Sequence, residues 1–198
     1  MFDINSLAHS GFNWSTALSL AHASRVSYED EGTVRNLATL AWGFDDLHFL
    51  DVGETQAFVA QSGHATLIVF RGSESRGDWL GNLNVLRRDH PPVGSVHSGF
   101  LGAYLNVQAQ LAPVMAEAHS RGKNVFLAGH SLGGALATLA AVDAATNDHP
   151  VTGVYTFGQP RVGTLTLGNY VGTNYPSSFF RFVNAGDIVP RIPPLLDH

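Results

Sequence analysis

The spacing of apolar positions changes along this chain, and each spacing predicts an element. Trp14, Ala17, Leu18 and Ala21 recur at i, i+3, i+4 and i+7. That is the period of one helix face, so residues 14–26 read as an amphipathic helix presenting those four side chains. Residues 56–61 and 65–70 read as paired strands, with the turn residues of "QSGH" between them. The second of these, ATLIVF, is almost wholly apolar, as in a strand covered on both faces. Residues 101–119 have helical spacing, with Pro113 expected to kink or divide them. A strand at 124–128, a helix at 132–145 and strands at 153–157 and 178–183 follow. Apolar strands alternating with helices predict an α/β layer fold, with a mostly parallel central sheet flanked by helices. In such sheets ligands bind beyond the carboxyl ends of the strands, so reactive residues should stand just after strands.

Composition narrows the picture. At 198 residues, 44% hydrophobic and 14% charged, the chain can bury a core without cross-links and reads as one globular domain, residues 1–198. A net charge of −5 with no basic run argues against a nucleic-acid partner. The absence of cysteine excludes a disulfide scaffold, a thiolate nucleophile and zinc–thiolate sites. His9, His22, His48, His64, His90, His119 and His130 lack metal-ligand spacing, so neither a metal nor a cofactor is expected. No segment approaches the ~20 apolar residues that span a bilayer. The first thirty residues lack the basic start and apolar run of a secretion signal. That favours a cytoplasmic protein over one secreted with its leader removed.

The chemistry concentrates in "NVFLAGHSLGGALATLAA". An apolar strand enters Gly129-His130-Ser131-Leu132-Gly133, and a helix begins at once. A G-x-S-x-G between strand and helix is a nucleophile elbow: the tight turn needs glycines two positions either side of a serine whose hydroxyl it projects outward. The helix N-terminus behind Ser131 favours developing negative charge.

A serine hydroxyl needs a base, and the base needs an orienting acid. On an elbow of this kind the chain order is Ser, Asp or Glu, then His. Asp143 lies far down the helix, and Asp148 and His149 share the polar loop at its distal end. Asp187 directly follows the strand SFFRFV, at the same edge as Ser131. By order, the base is His198 or lies outside this sequence. His97, which precedes Ser131, reads as a hydrogen-bonded structural histidine. The oxyanion donors are expected to be the backbone N–H of Leu132 and, after the earlier strand LIVF, that of Ser73.

Read together, "VFRGSES", "VHSGFLGAY", "GHSLGGALATLAA", "YTFGQPRVG" and "FVNAGDIVPRIPP" resemble the class 3 lipases, the fungal-lipase-like branch of the α/β-hydrolases. The resemblance runs over most of the chain from Asp51 onward. It implies a serine carboxylester hydrolase acting on acyl esters, acylglycerols among them. Ser131 would be its nucleophile, Asp187 its acid, and Ser73 with Leu132 its oxyanion pair. The resemblance also suggests a short lid over residues 74–86, in which Trp79, Leu80, Leu83 and Leu86 share one helical face. Such a lid could touch a lipid interface. In the fungal lipases the catalytic histidine lies well downstream of the acid, and His198 looks like the start of an earlier His-x-Gly whose histidine is not the base there. The alternative function is therefore a hydrolase-fold binding module lacking its base.

Overall fold

The computed structural model describes residues 2–73 and 86–193. Its helices are α1 (Trp14–Val26), α2 (Glu31–Asn36), α3 (Ser98–Ser120), α4 (Leu132–Thr146) and α5 (Leu165–Asn174). Its strands are β1 (Asp46–Val52), β2 (Thr55–Gln61), β3 (Ala65–Phe70), β4 (Arg87–Asp89), β5 (Ser95–His97), β6 (Asn124–His130), β7 (Gly153–Phe157) and β8 (Phe179–Phe182). Among the described residues, the main sheet has the order β1-β2-β3-β6-β7-β8. β1, β2 and β3 pair antiparallel. β3, β6, β7 and β8 run parallel. This is the expected α/β layer fold.

The central strands divide their side chains between two cores. Ile68, Phe70, Val125, Leu127 and Val154 face α3 and α4. Leu67, Val69, Phe126, Ala128 and Tyr155 face α1, α2 and the N-terminal segment. The alternation is the period-2 pleat of a strand, here apolar on both sides. Every residue of β3 is buried, and each large side chain contributes about 1.5–3 kcal/mol of burial. α4 is buried on nearly all sides, which its unbroken apolar run required.

Two of the expected helices depart in detail from the sequence reading. α1 spans the expected residues but turns a different face inward. Trp14 is 74% and Leu18 62% exposed, while Thr16, Ala17, Ser19, Leu20, Ala23 and Ser24 are buried. The buried hydroxyls are satisfied locally: Thr16 donates to the Ser6 carbonyl at 3.0 Å, Ser24 to the Leu20 carbonyl at 2.8 Å, and Ser19 accepts from Asp3 N–H at 2.9 Å. A small hydroxyl with a backbone partner buries at little cost, so polarity misreports the face. The second departure is α3, which runs unbroken through Pro113. Pro113 is on the exposed side, where water can satisfy the carbonyl that its missing N–H leaves.

Register aligns the strand ends. Phe70 lies opposite Gly129, His130 opposite Phe157, and Phe157 opposite Phe182. The segments after β3, β6, β7 and β8 therefore leave from one edge of the sheet. Ser73, Ser131, Gly158 and Asp187 stand on those segments.

Candidate active site

Ser131 sits between β6 and α4 with φ 56° and ψ −124°. A non-glycine residue held in this region costs about 1–3 kcal/mol and persists only where its surroundings impose it. The imposition here is steric and hydrogen-bonded. A Cβ on Gly133 would overlap the Phe70 carbonyl, and one on Gly129 would overlap the Gly133 backbone. Ser131 N–H donates to the Phe157 carbonyl at 2.9 Å, and its own carbonyl accepts from Gly134 N–H at 3.0 Å. Its side chain makes no cap bond to α4, although serine is a preferred N-cap. The hydroxyl of a residue only 3% exposed is thus not spent on ending the helix.

Ser73 follows β3 on the same edge. It lines two cavities. The first, of about 280 Å³, brings Ser73 together with Leu132, beside Gln56, Arg71 and Leu136. The second, of about 490 Å³, runs from Ser73 and His130 to Phe157 and along Ala21, Ser24 and Tyr28. The two residues expected to supply oxyanion donors therefore share one wall.

Asp187 lies in the turn after β8. Its Oδ1 accepts from Val189 N–H at 3.0 Å, and its backbone N–H donates to the Asn184 carbonyl at 3.0 Å. Its Oδ2 lies toward Gly158, 2.9 Å from where a Cβ would stand. Gly158 has φ +58° and also borders the His130 ring, so the acid faces the elbow across a residue without a side chain. Two arginines hold this segment by its backbone. Arg181 donates to the carbonyls of Gln159 and Pro190 at 2.8 and 2.9 Å. Arg161 donates to those of Arg191 and Pro193 at 2.7 and 3.2 Å. Burial, then the nearby Arg161 charge, lowers the Arg181 pKa. Neither arginine carries a signal in the sequence, because each binds carbonyls rather than a carboxylate.

The other acids and histidines after Ser131 stand elsewhere. Asp143 accepts from Tyr104 Oη at 2.9 Å and from Gln108 at 3.0 Å, tying α4 to α3. Burial, reinforced by Asp143, pushes the Tyr104 phenol well above its ordinary range. His149 lies beyond the far end of α4, its ring 5.8 Å from that of His119. His97 caps α3, accepting from Phe100 N–H at 3.4 Å and stacking on the Phe100 ring at 4.1 Å. His198 and the lid residues Trp79, Leu80 and Leu83 lie outside the described residues.

Tyr28 was not singled out in the sequence. It follows α1, yet its hydroxyl bonds His130 Nδ1 at 2.9 Å, and the Arg71 guanidinium lies 5.7 Å from its ring centre. Only long-range pairing reveals it, and no local pattern could have.

A strained serine at the carboxyl edge of a mostly parallel sheet, with a helix starting behind it, defines the serine-elbow class of α/β-hydrolase-type folds. The model of the family "Lipase (class 3)" matches residues 67–196, and the chain belongs to that family. A lipase of Rhizomucor miehei is 40% identical over 152 residues, covering 71% of this chain and 41% of the relative. A triacylglycerol lipase of Arabidopsis thaliana is 30% identical over 231 residues, covering 86% and 44%. Among solved structures, one is described as a triacylglycerol lipase whose catalytic centre is formed by a serine protease triad. It superposes with a TM-score of 0.75 at 32% identity, over 94% of this chain and 77% of its own. The Rhizomucor miehei lipase–propeptide complex does so with 0.70 at 30% identity, over 93% and 65%. The chain spans about two fifths of the length of the curated relatives it matches first.

Proposed function

We propose that this chain carries the nucleophile, acid and oxyanion hole of a serine carboxylester hydrolase acting on fatty acyl esters, acylglycerols among them. The observation that carries the reading is Ser131, strained at the N-terminus of α4 with its hydroxyl not engaged as a helix cap. Ser131 Oγ attacks the ester carbonyl while a histidine imidazole takes its proton. Charge developing on the carbonyl oxygen meets the N–H groups of Leu132 and Ser73, and the positive end of α4 lies behind them. Collapse expels the alcohol, which leaves with the proton from the imidazolium. Water then attacks the acyl-enzyme by the same route and releases the acid. Asp187 orients the imidazole through the carboxylate oxygen that faces Gly158. In chain order, His198 is the candidate for the base.

The acyl ester substrate rests on chemistry and relatives together. The second cavity has an apolar side at Ala21 and Phe157 and reaches Ser73. Relatives are named as triacylglycerol lipases and as mono- and diacylglycerol lipases. Hydrolysis of p-nitrophenyl esters and of a dispersed acylglycerol, by wild type and Ser131→Ala, tests the proposal. Turnover in the wild type should fall by roughly three orders of magnitude or more in the variant. Equal turnover in both would overturn the assignment. No turnover in either would favour the binding module.

A further inference from the structure

We propose that Tyr28 is a positioning residue that clamps the Ser73 loop against the Ser131 elbow. The inference rests on reading Ser73 as an oxyanion donor, and it goes beyond the residues that reading names.

Three contacts of Tyr28 make the clamp, one to the elbow and two to the loop after β3. The Tyr28 hydroxyl is joined to His130 Nδ1 by a 2.9 Å hydrogen bond, and His130 is the residue before the nucleophile. The same hydroxyl sits over Gly72, the residue before Ser73, so closely that a Cβ on Gly72 would overlap it. That Cβ would also lie 2.6 Å from the His130 carbonyl. Arg71, one residue earlier, places its guanidinium over the Tyr28 ring and bonds the Gln56 side chain on β2. The Arg71 N–H also donates to the Gln56 carbonyl at 2.9 Å. The loop is thus anchored at its start to β2 and roofed at Gly72 by Tyr28, whose hydroxyl is fixed by the elbow itself.

The consequence concerns distance. An oxyanion hole needs its two donors at a fixed separation, and a displacement of about 1 Å can cost as much as ~100-fold in rate. Leu132 N–H is fixed by α4, and Ser73 N–H stands on a loop. Tyr28 ties that loop to the strand leading into α4. Residue 28 is distant in sequence from both, so α1 and its following turn serve as the brace.

Tyr28→Phe removes the hydroxyl and keeps the ring under Arg71. Two readouts are taken. One is amide hydrogen exchange of residues 71–73, and the other is kcat and KM on p-nitrophenyl butyrate, with thermal unfolding measured alongside. The clamp requires exchange at residues 71–73 to rise about 10-fold or more while exchange within β6 holds. It also requires kcat to fall about 10-fold with KM within twofold, since the lost alignment acts in the transition state. Unchanged exchange at residues 71–73 would overturn the clamp whether or not the protein turns over esters. Raised exchange with unchanged kcat, in an enzyme that Ser131→Ala abolishes, would overturn it as well. Activity that survives Ser131→Ala would instead sink the hydrolase reading and leave the exchange result to decide the clamp.

Discussion

The elbow and the acid loop stand at the same edge of the sheet but are held by different physics. The elbow is fixed by excluded volume. Gly129 and Gly133 meet backbone atoms where a methyl would have to be, and Ser131 is 97% buried by its surroundings. The acid loop is exposed over residues 183–186 and is fixed by directed bonds from Arg161 and Arg181 to the carbonyls of Pro190, Arg191 and Pro193. A close-packed site cannot yield by small amounts, because interiors have no spare volume. A loop held by bonds at the surface can yield, because water replaces a lost partner. A methyl added at the elbow glycines should therefore damage fold and site together, while substitution around Asp187 should degrade the site with the fold kept.

The largest effect is expected for Gly133→Ala. The new methyl would meet the Phe70 carbonyl, and overpacking of this kind costs about 3 kcal/mol. For a chain of this length that is a fall of roughly 6–12 °C in Tm, with ester turnover lost along with it. A Tm within 2 °C of wild type would break the excluded-volume side of the comparison. Arg181→Met is expected to be milder. Losing its bonds to Gln159 and Pro190 should cost about 1–2 kcal/mol, a Tm shift of roughly 2–8 °C. kcat should fall by about 10-fold as Asp187 loses its fixed orientation. A Tm loss as large as that of Gly133→Ala would show that the two regions are held alike.

The same contrast explains what could be read in advance. The elbow was legible because steric demands leave a residue pattern: glycines at fixed offsets between an apolar strand and a helix. The position of Asp187 at the elbow's edge of the sheet was legible by topology, since it follows a parallel strand. Arg161 and Arg181 were not, since an arginine that binds carbonyls looks like any surface arginine. β1 was missed because its exposed Asp46, His48 and Asp51 keep no single period against Leu47, Phe49 and Leu50, so neither strand nor helix spacing stands out. The inward face of α1 was misjudged because its buried serines and threonine are satisfied by backbone partners. Tyr28 was invisible because its partners at residues 72 and 130 are brought together only by folding.

An activated nucleophile at Ser131 should react covalently with an electrophilic phosphonate. The folded protein is treated with a fluorophosphonate, digested and mapped by mass spectrometry. The phosphonyl adduct should appear on Ser131 in wild type and disappear both in Ser131→Ala and after denaturation. An adduct on a different serine, or an unmodified Ser131 in folded protein under conditions that label a serine hydrolase run in parallel, would contradict the nucleophile assignment.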